Sequence, residues 1–259
     1  MLENAEHWGD LGYEIEGQLT KGAEAKIFRP AANSPSTISE QSTINEIIDI
    51  IICDNAPAEI AKVGSLVAND IKKEGLKPED IVVLCADDKY AKSYFSQLSM
   101  YLAKQGIATN NLSVDGFSGD VFTRENSVTL TSVHRAKGNE GYSVYVMGID
   151  ALFTRPNVRS RNLAFTAMTR AKAWLTITGV GQAAKQFAAE IEAAKNNFPY
   201  MIFEYPEEER LKIMKRDLEE SPQQKLERAL EGLTADDLSE ETIKAAIAKL
   251  TSSRKKVFK

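Results

Sequence analysis

The chain is poor in the residues from which disulfide frameworks and metal centres are built. It holds two cysteines, Cys53 and Cys85, and two histidines, His7 and His134, in 259 residues. Both cysteines lie in apolar runs and read as small buried residues of a reducing compartment. A His/Cys metal cluster has almost no ligands to draw on. Long apolar runs are lacking too. The strongest, Ile47 to Cys53, is interrupted by Asp49 and falls far short of the ~20 residues that cross a bilayer. The opening residues show no basic region followed by an apolar run, so no signal peptide is expected and the cytoplasm is the default location. A phosphate-gripping loop is also missing. Such a loop needs Gly-x-x-x-x-Gly-Lys-Ser/Thr, because successive backbone N–H groups and the lysine cradle the phosphates. The nearest spacing, Gly17 to Gly22, runs on into Ala23 and Glu24.

What is present describes an ordinary globular protein, with 43% apolar and 27% charged residues. The length suits one well-filled α/β domain plus attachments. The formal charge of −5 argues weakly against a polyanionic partner, but the charges are unevenly placed. Arg124, Arg135, Lys137, Arg155, Arg159, Arg161, Arg170 and Lys172 share the middle of the chain with only Glu125, Glu140 and Asp150. The C-terminal part is the reverse, with Glu207-Glu208-Glu209, Asp236-Asp237 and Glu240-Glu241. A polyanion would therefore bind the middle. Two solvated surfaces of opposite sign account for the same pattern.

Three segments are expected: a lead-in over residues 1–43, an α/β domain over 44–205, and a charged helical tail over 206–259. Glu24 to Phe28 reads as a strand within the lead-in. From Ile44 to Glu74 apolar residues recur at helical spacing, and Pro57 is expected to divide that region into two helices. Ile81 to Cys85 is an unbroken apolar run of the kind found in a parallel strand covered on both faces. Asp87 or Asp88 is placed to cap the following helix, which Gly106 ends. Further strands are expected over Ser127 to Ser132, Ser143 to Ile149 and Trp174 to Gly179, with a helix over Ser160 to Lys172. This alternation predicts a parallel sheet with helices on both faces. After Pro199 the chain is expected to be helical.

Two stretches carry chemistry. Val128 to Glu140 runs from a buried strand into a polar cluster at the strand's C-terminal end, where open α/β sheets bind ligands. Thr131, Ser132, His134, Arg135 and Lys137 offer hydroxyl, imidazole and cationic donors suited to phosphate oxygens. Gly138 permits an unusual turn or close backbone approach. A strand and turn with incidental basic residues fits as well. In the second stretch, Arg161 to Lys172, Arg170 falls near a helix C-terminus just before a strand. It could project at a developing negative charge, as arginine fingers do. A dipole-stabilising arginine at a helix end is the plainer alternative.

In order and spacing, Val128-Thr-Leu-Thr-Ser-Val-His-Arg-Ala-Lys-Gly-Asn-Glu140 and Arg161-Asn-Leu-Ala-Phe-Thr-Ala-Met-Thr-Arg-Ala-Lys172 resemble motifs V and VI of the UvrD-like superfamily 1 helicases. The family patterns are T-x-H-x-A-K-G-x-E and R-x-L-x-Y-V-A-M-T-R-A. The resemblance is specific from about Val128 to Thr178, and weaker back to Ile81 and at Glu6 to Tyr13. It implies a C-terminal RecA-like domain. In it Arg170 would contact the γ-phosphate, and Gly138 and Glu140 would lie near the ribose and phosphates of ATP. Thr131, Ser132 and His134 would face single-stranded DNA or RNA, with Arg135 and Lys137 coupling that face to the ATP site. ATP with Mg²⁺ would be held chiefly by an N-terminal RecA-like domain of the same or a neighbouring chain. Without that domain the chain is not expected to hydrolyse ATP. The run Cys85-Ala-Asp-Asp88 superficially resembles a metal-holding Walker B strand, but helix capping suits its aspartates better. The family's motif IV arginine is absent, so the chain is expected to start after it. Only Ile107 to Asn126 stands where many members carry a large insertion, and Asn139 replaces a usual leucine.

Overall fold

The computed structural model describes residues 5–17, 19–34, 38–113, 121–154 and 157–205. A short helix α1 (Ala5–Asp10) leads into strands β1 (Glu14–Glu16) and β2 (Glu24–Phe28). A single turn, α2 (Ile44–Ile47), precedes β3 (Ile48–Cys53) and the long helix α3 (Ala56–Lys72). Then come β4 (Ile81–Cys85), α4 (Ala91–Lys104), β5 (Ala108–Asn111), β6 (Ser127–Ser132) and β7 (Gly141–Met147). The last described elements are α5 (Asp150–Phe153), α6 (Val158–Met168), β8 (Ala171–Val180), α7 (Gly181–Asn197) and β9 (Tyr200–Glu204).

Six strands form one parallel sheet in the order β3-β8-β7-β4-β6-β5. This is the expected α/β class, with helices on both faces. Because side chains alternate along a strand, β4 and β7 feed two cores. Ile81, Val83, Val128, Leu130 and Met147 pack with Ile60, Val63 and Val67 of α3 and Phe95, Leu98 and Leu102 of α4. On the other face Val82, Leu84, Val144, Val146 and Ile177 pack with Phe153 of α5, Ala164 and Ala167 of α6, and Phe187 of α7. The α3–α4 crossing depends on Gly64: a Cβ there would sit 2.4 Å from the Tyr101 ring.

Strands β2, β4 and β6 have the expected bounds. Four expectations are corrected. Ile48–Cys53 is an edge strand, not helix. Its isoleucines satisfy a helical pattern and a strand pattern alike, and pairing with Leu175 to Val180 of β8 decides for the strand. Pro57 does not split two helices but lies in the first turn of α3, where its missing N–H costs nothing. Ala108–Asn111, where no strand was expected, pairs with β6 as the opposite edge strand. Tyr200–Glu204, expected to open a helical region, is a strand antiparallel to β2. Since β2 also pairs with β1, the lead-in and the end of the described chain share one three-stranded sheet. The tail over 206–259 lies outside the described residues.

Below the C-terminal ends of the strands sits a buried carboxylate. Glu59 of α3 is 0% exposed. It accepts hydrogen bonds from the Thr178 hydroxyl at 2.6 Å, the Gly148 N–H at 2.8 Å and the Tyr94 hydroxyl at 3.1 Å. Burial pushes its pKa up despite those three donors. Glu59 thereby ties α3 to β8, to the turn after β7 and to α4.

Candidate functional site

The segment from Thr131 to Glu140 begins at the C-terminal end of β6 and ends at the N-terminal start of β7. These strands run parallel, both beside β4. The segment must therefore travel back along the length of a strand. Six residues of β6 span about 20 Å at ~3.3 Å per residue. The expected site residues are thus divided between the two ends of the sheet.

At the first end, Thr131 is 0% exposed. Its hydroxyl has no hydrogen-bond partner among the described residues. It shares the strand face of Thr129, whose hydroxyl donates to the Phe122 carbonyl at 2.9 Å. Ser132 is half-buried, and its hydroxyl oxygen accepts the Arg135 N–H at 3.4 Å, which closes the first turn of the loop. The Arg135 guanidinium donates to the carbonyl of Leu112, just after β5. His134 is exposed, with Nε2 3.7 Å from the Asp88 carboxylate. Asp87 accepts the N–H groups of Lys89 and Tyr90 at 3.0 and 3.2 Å. It closes the turn before α4, whose own N-cap position is Tyr90 and has no side-chain cap. Among the described residues no group of three His, Cys, Asp or Glu side chains is placed to hold a metal ion.

The loop turns at Gly138, whose φ of +88° is a conformation that side chains with a Cβ adopt only under strain. Asn139 follows, half-buried, and then Glu140, exposed. Here the second stretch arrives. Helix α6 is capped by Asn157, which accepts the Ser160 N–H at 2.9 Å. It is fixed to α7 by a two-pronged Arg161–Glu190 pair at 2.7 and 2.8 Å. Helix α6 ends at Met168, two residues sooner than needed to include Arg170. Arg170 occupies the turn before β8, outside the helix expected over Ser160 to Lys172.

Its guanidinium donates to the Thr166 carbonyl at 3.0 Å, the Asn139 carbonyl at 3.4 Å and the Thr169 hydroxyl at 3.1 Å. In return the Arg170 carbonyl accepts the Gly141 N–H at 3.0 Å. A Cβ on Gly141 would lie 2.8 Å from Val82 and 3.2 Å from the Asp80 carbonyl. Only glycine lets β7 begin this close to β4. Lys172 lies 4.0 Å from the Glu140 carboxylate and stacks over Tyr142 at 5.4 Å. Arg170, Gly138, Glu140 and Lys172 thus converge where β7 and β8 begin.

Between the two ends lies a cavity of about 220 Å³ whose walls are the 133–137 loop and one face of α6. His134 and Lys137 line one side; Arg159, Asn162 and Thr166 line the other. The α6 residues were not among those singled out from the sequence. The available signal was their spacing: 159, 162, 163 and 166 fall on one helical face. Arg159 had been counted only as one of many basic residues.

Residues 127–178 match the family described as the UvrD-like helicase C-terminal domain. The match covers both stretches and the strands that flank them. No curated protein matches the chain. One similar solved structure is described as the C-terminal domain of a possible DNA helicase from Lactobacillus plantarum WCFS1. It is 15% identical, with a TM-score of 0.40 over 55% of this chain and 78% of that one.

Proposed function

We propose, on the premise of the UvrD-like helicase match across residues 127–178, that this chain is the C-terminal motor domain of an ATP-dependent superfamily 1 helicase or translocase. It would supply an arginine finger and part of a single-strand face, and it would not hydrolyse ATP alone. The observation that carries the reading is the junction of Arg170 with Asn139 and Gly141. One continuous segment joins that junction to a basic, donor-rich surface about 20 Å away at the other end of the sheet. A rigid segment spanning both ends is what coupling between nucleotide and strand requires.

In this reading an N-terminal RecA-like domain, in the same or a neighbouring chain, holds ATP with Mg²⁺. The nucleotide supplies the phosphoanhydride whose cleavage drives the cycle. Arg170 exchanges its bonds to Thr166, Asn139 and Thr169 for the γ-phosphate oxygens when the two domains close. There it neutralises negative charge as that charge develops. Gly138 lets the backbone approach the phosphates, and Glu140, paired with Lys172, faces the ribose. Ser132, His134, Arg135 and Lys137 form the strand-facing surface. Thr131 reaches that surface only if the loop over it moves. Closing and reopening would shift the strand past this surface. Among the described residues no helix is long and apolar enough to cross a membrane.

A second reading has a specific observation in its favour. All three donor nitrogens of Arg170 are engaged within the chain, as suits a non-catalytic nucleic-acid-binding or scaffold module that keeps the fold. Single-strand-stimulated ATP hydrolysis separates the two. The full chain is assayed alone and then with an N-terminal UvrD-like ATPase domain, as wild type and as Arg170→Ala. The motor reading expects no turnover alone, turnover in the mixture, and a fall of about 10³-fold or more with Arg170→Ala. Turnover by the chain alone contradicts it. Strand binding without stimulation of any N-terminal domain establishes the module.

A further inference from the structure

The cavity between the 133–137 loop and α6 has a composition that the proposed function does not use in full. Lys137 and Arg159 face it from opposite walls, and both are exposed. Neither side chain has a carboxylate or a hydrogen-bond partner among the described residues, whereas Arg161, two residues along from Arg159, is paired with Glu190. Two unneutralised cations sharing one concave site create a local positive potential that an anion relieves. Asn162 adds a neutral amide donor on the same wall as Arg159, while the Thr166 hydroxyl donates to the Asn162 carbonyl at 2.8 Å. Val133 and Leu163 give the site apolar surface suited to a sugar.

The position of the cavity selects among anions. Arg159 and Arg170 are eleven residues apart along α6 and its final turn, about 16 Å at 1.5 Å per residue. Arg159 is therefore remote from the Arg170–Glu140 junction assigned to the nucleotide, which the cavity meets at Thr166, whose carbonyl accepts from Arg170. The cavity abuts His134, on the surface assigned to the strand.

We propose that Arg159 and Lys137 together hold one phosphodiester of a bound single strand, so that the first half of α6 belongs to the nucleic-acid face. The proposal rests on the nucleic-acid reading above and adds Arg159 as a strand-positioning residue. Arginine suits this place because its planar fork meets two phosphate oxygens at once. Asn162 orients the same group, and the strand passes from His134 across the cavity along α6.

The test is fluorescence anisotropy of a labelled oligo-dT with the full chain across a series of salt concentrations. Wild type, Arg159→Ala, Lys137→Ala and the double variant are compared. Each phosphate neutralised on a single strand contributes about −0.7 to the slope of log K against log[salt]. Each single variant is expected to bind severalfold more weakly at low salt, with a slope shallower by about 0.7. The double variant is expected to lose about 0.7 in all, because both residues serve one phosphate. An unchanged slope in Arg159→Ala, with wild type binding, overturns this proposal and leaves the nucleic-acid reading standing. A loss of about 1.4 in the double variant overturns the shared phosphate. Absence of strand binding by wild type overturns the nucleic-acid reading as well. Loss of a fluorescent ATP analogue by Arg159→Ala, with strand binding intact, reassigns the cavity to nucleotide and overturns the proposal. Thermal melts accompany each variant. Arg159→Gln carries the same test if alanine lowers the melting temperature.

Discussion

Glu59 offers the sharpest check on how this fold is held together. Its carboxylate is fully buried and accepts three hydrogen bonds from three different elements. Glu59→Ala removes the acceptor from all three donors and leaves a void. Buried donors left unpaired cost about 1–3 kcal/mol each, although the Thr178 and Tyr94 hydroxyls can rotate to recover part of the loss. The expected destabilisation is about 3–5 kcal/mol, comparable with breaking a buried polar pair. At this size that lowers Tm by roughly 10 °C. Glu59→Gln keeps the shape: Oε1 still accepts from Thr178 and Gly148, and the amide donates to the Tyr94 oxygen. It also removes a charge that burial disfavours. The folded-state pKa of Glu59 is raised, so the folded chain holds this proton at pH values where the unfolded chain has lost it. Stability therefore falls as pH rises from about 4.3, the ordinary glutamate value, through the folded-state pKa. Glu59→Gln is expected to abolish that component. Its Tm should match or exceed that of wild type at pH 8, and the difference should shrink as pH falls towards 5. Thermal and urea melts at several pH values read both effects. A cost under about 1 kcal/mol for Glu59→Ala, or a Glu59→Gln difference independent of pH, would refute the reasoning.

Other expectations follow from packing and burial. Gly64→Ala drives a methyl group against the Tyr101 ring and should cost about 1–3 kcal/mol in a urea melt; the double change Gly64→Ala with Tyr101→Ala should recover part of it. The Cys85 thiol is pushed up to about 12, chiefly by burial, and Cys53 is raised for the same first reason. Neither should react with a thiol reagent at pH 8 while the chain is folded, and both should react in denaturant. Fast reaction of the folded chain would show that one of those strands is open. Arg161→Ala breaks an ion pair that is about half exposed on both sides, so it should cost at most about 1 kcal/mol in a thermal melt. It should leave the salt slope of strand binding unchanged, in contrast to Arg159→Ala.

The division of the site between two ends of the sheet has a mechanical consequence. The loop from Val133 to Glu140 is tied at both ends, by Arg135 to Leu112 and by the Arg170–Asn139 and Gly141–Arg170 bonds. Under the proposed function, a pull on Arg170 would therefore be transmitted along the backbone to His134 and Lys137. Arg135 anchors the loop that carries His134 and Lys137.

The sequence alone determined the strands whose pattern admits one answer. Ile81–Cys85 and Ser127–Ser132 are apolar or β-branched runs too short for a helix and bounded by turn residues, so local chemistry suffices. It also determined the order of the two chemistry-bearing stretches, whereas the end of α6 at Met168, which leaves Arg170 in a turn, was decided by the structure. Ile48–Cys53 was beyond the reach of the sequence, because isoleucine spacing there fits two periods and only the β8 partner chooses between them. The same holds for Ala108–Asn111 and Tyr200–Glu204, polar or mixed strands that exist because a neighbour supplies the hydrogen bonds. Tertiary structure alone decided that Thr131 is enclosed while His134 is exposed. It alone set Arg159 across a cavity from Lys137. Residue type fixes what a side chain can bind; which side chains share a site depends on contacts between segments far apart in the chain, and no local pattern encodes those.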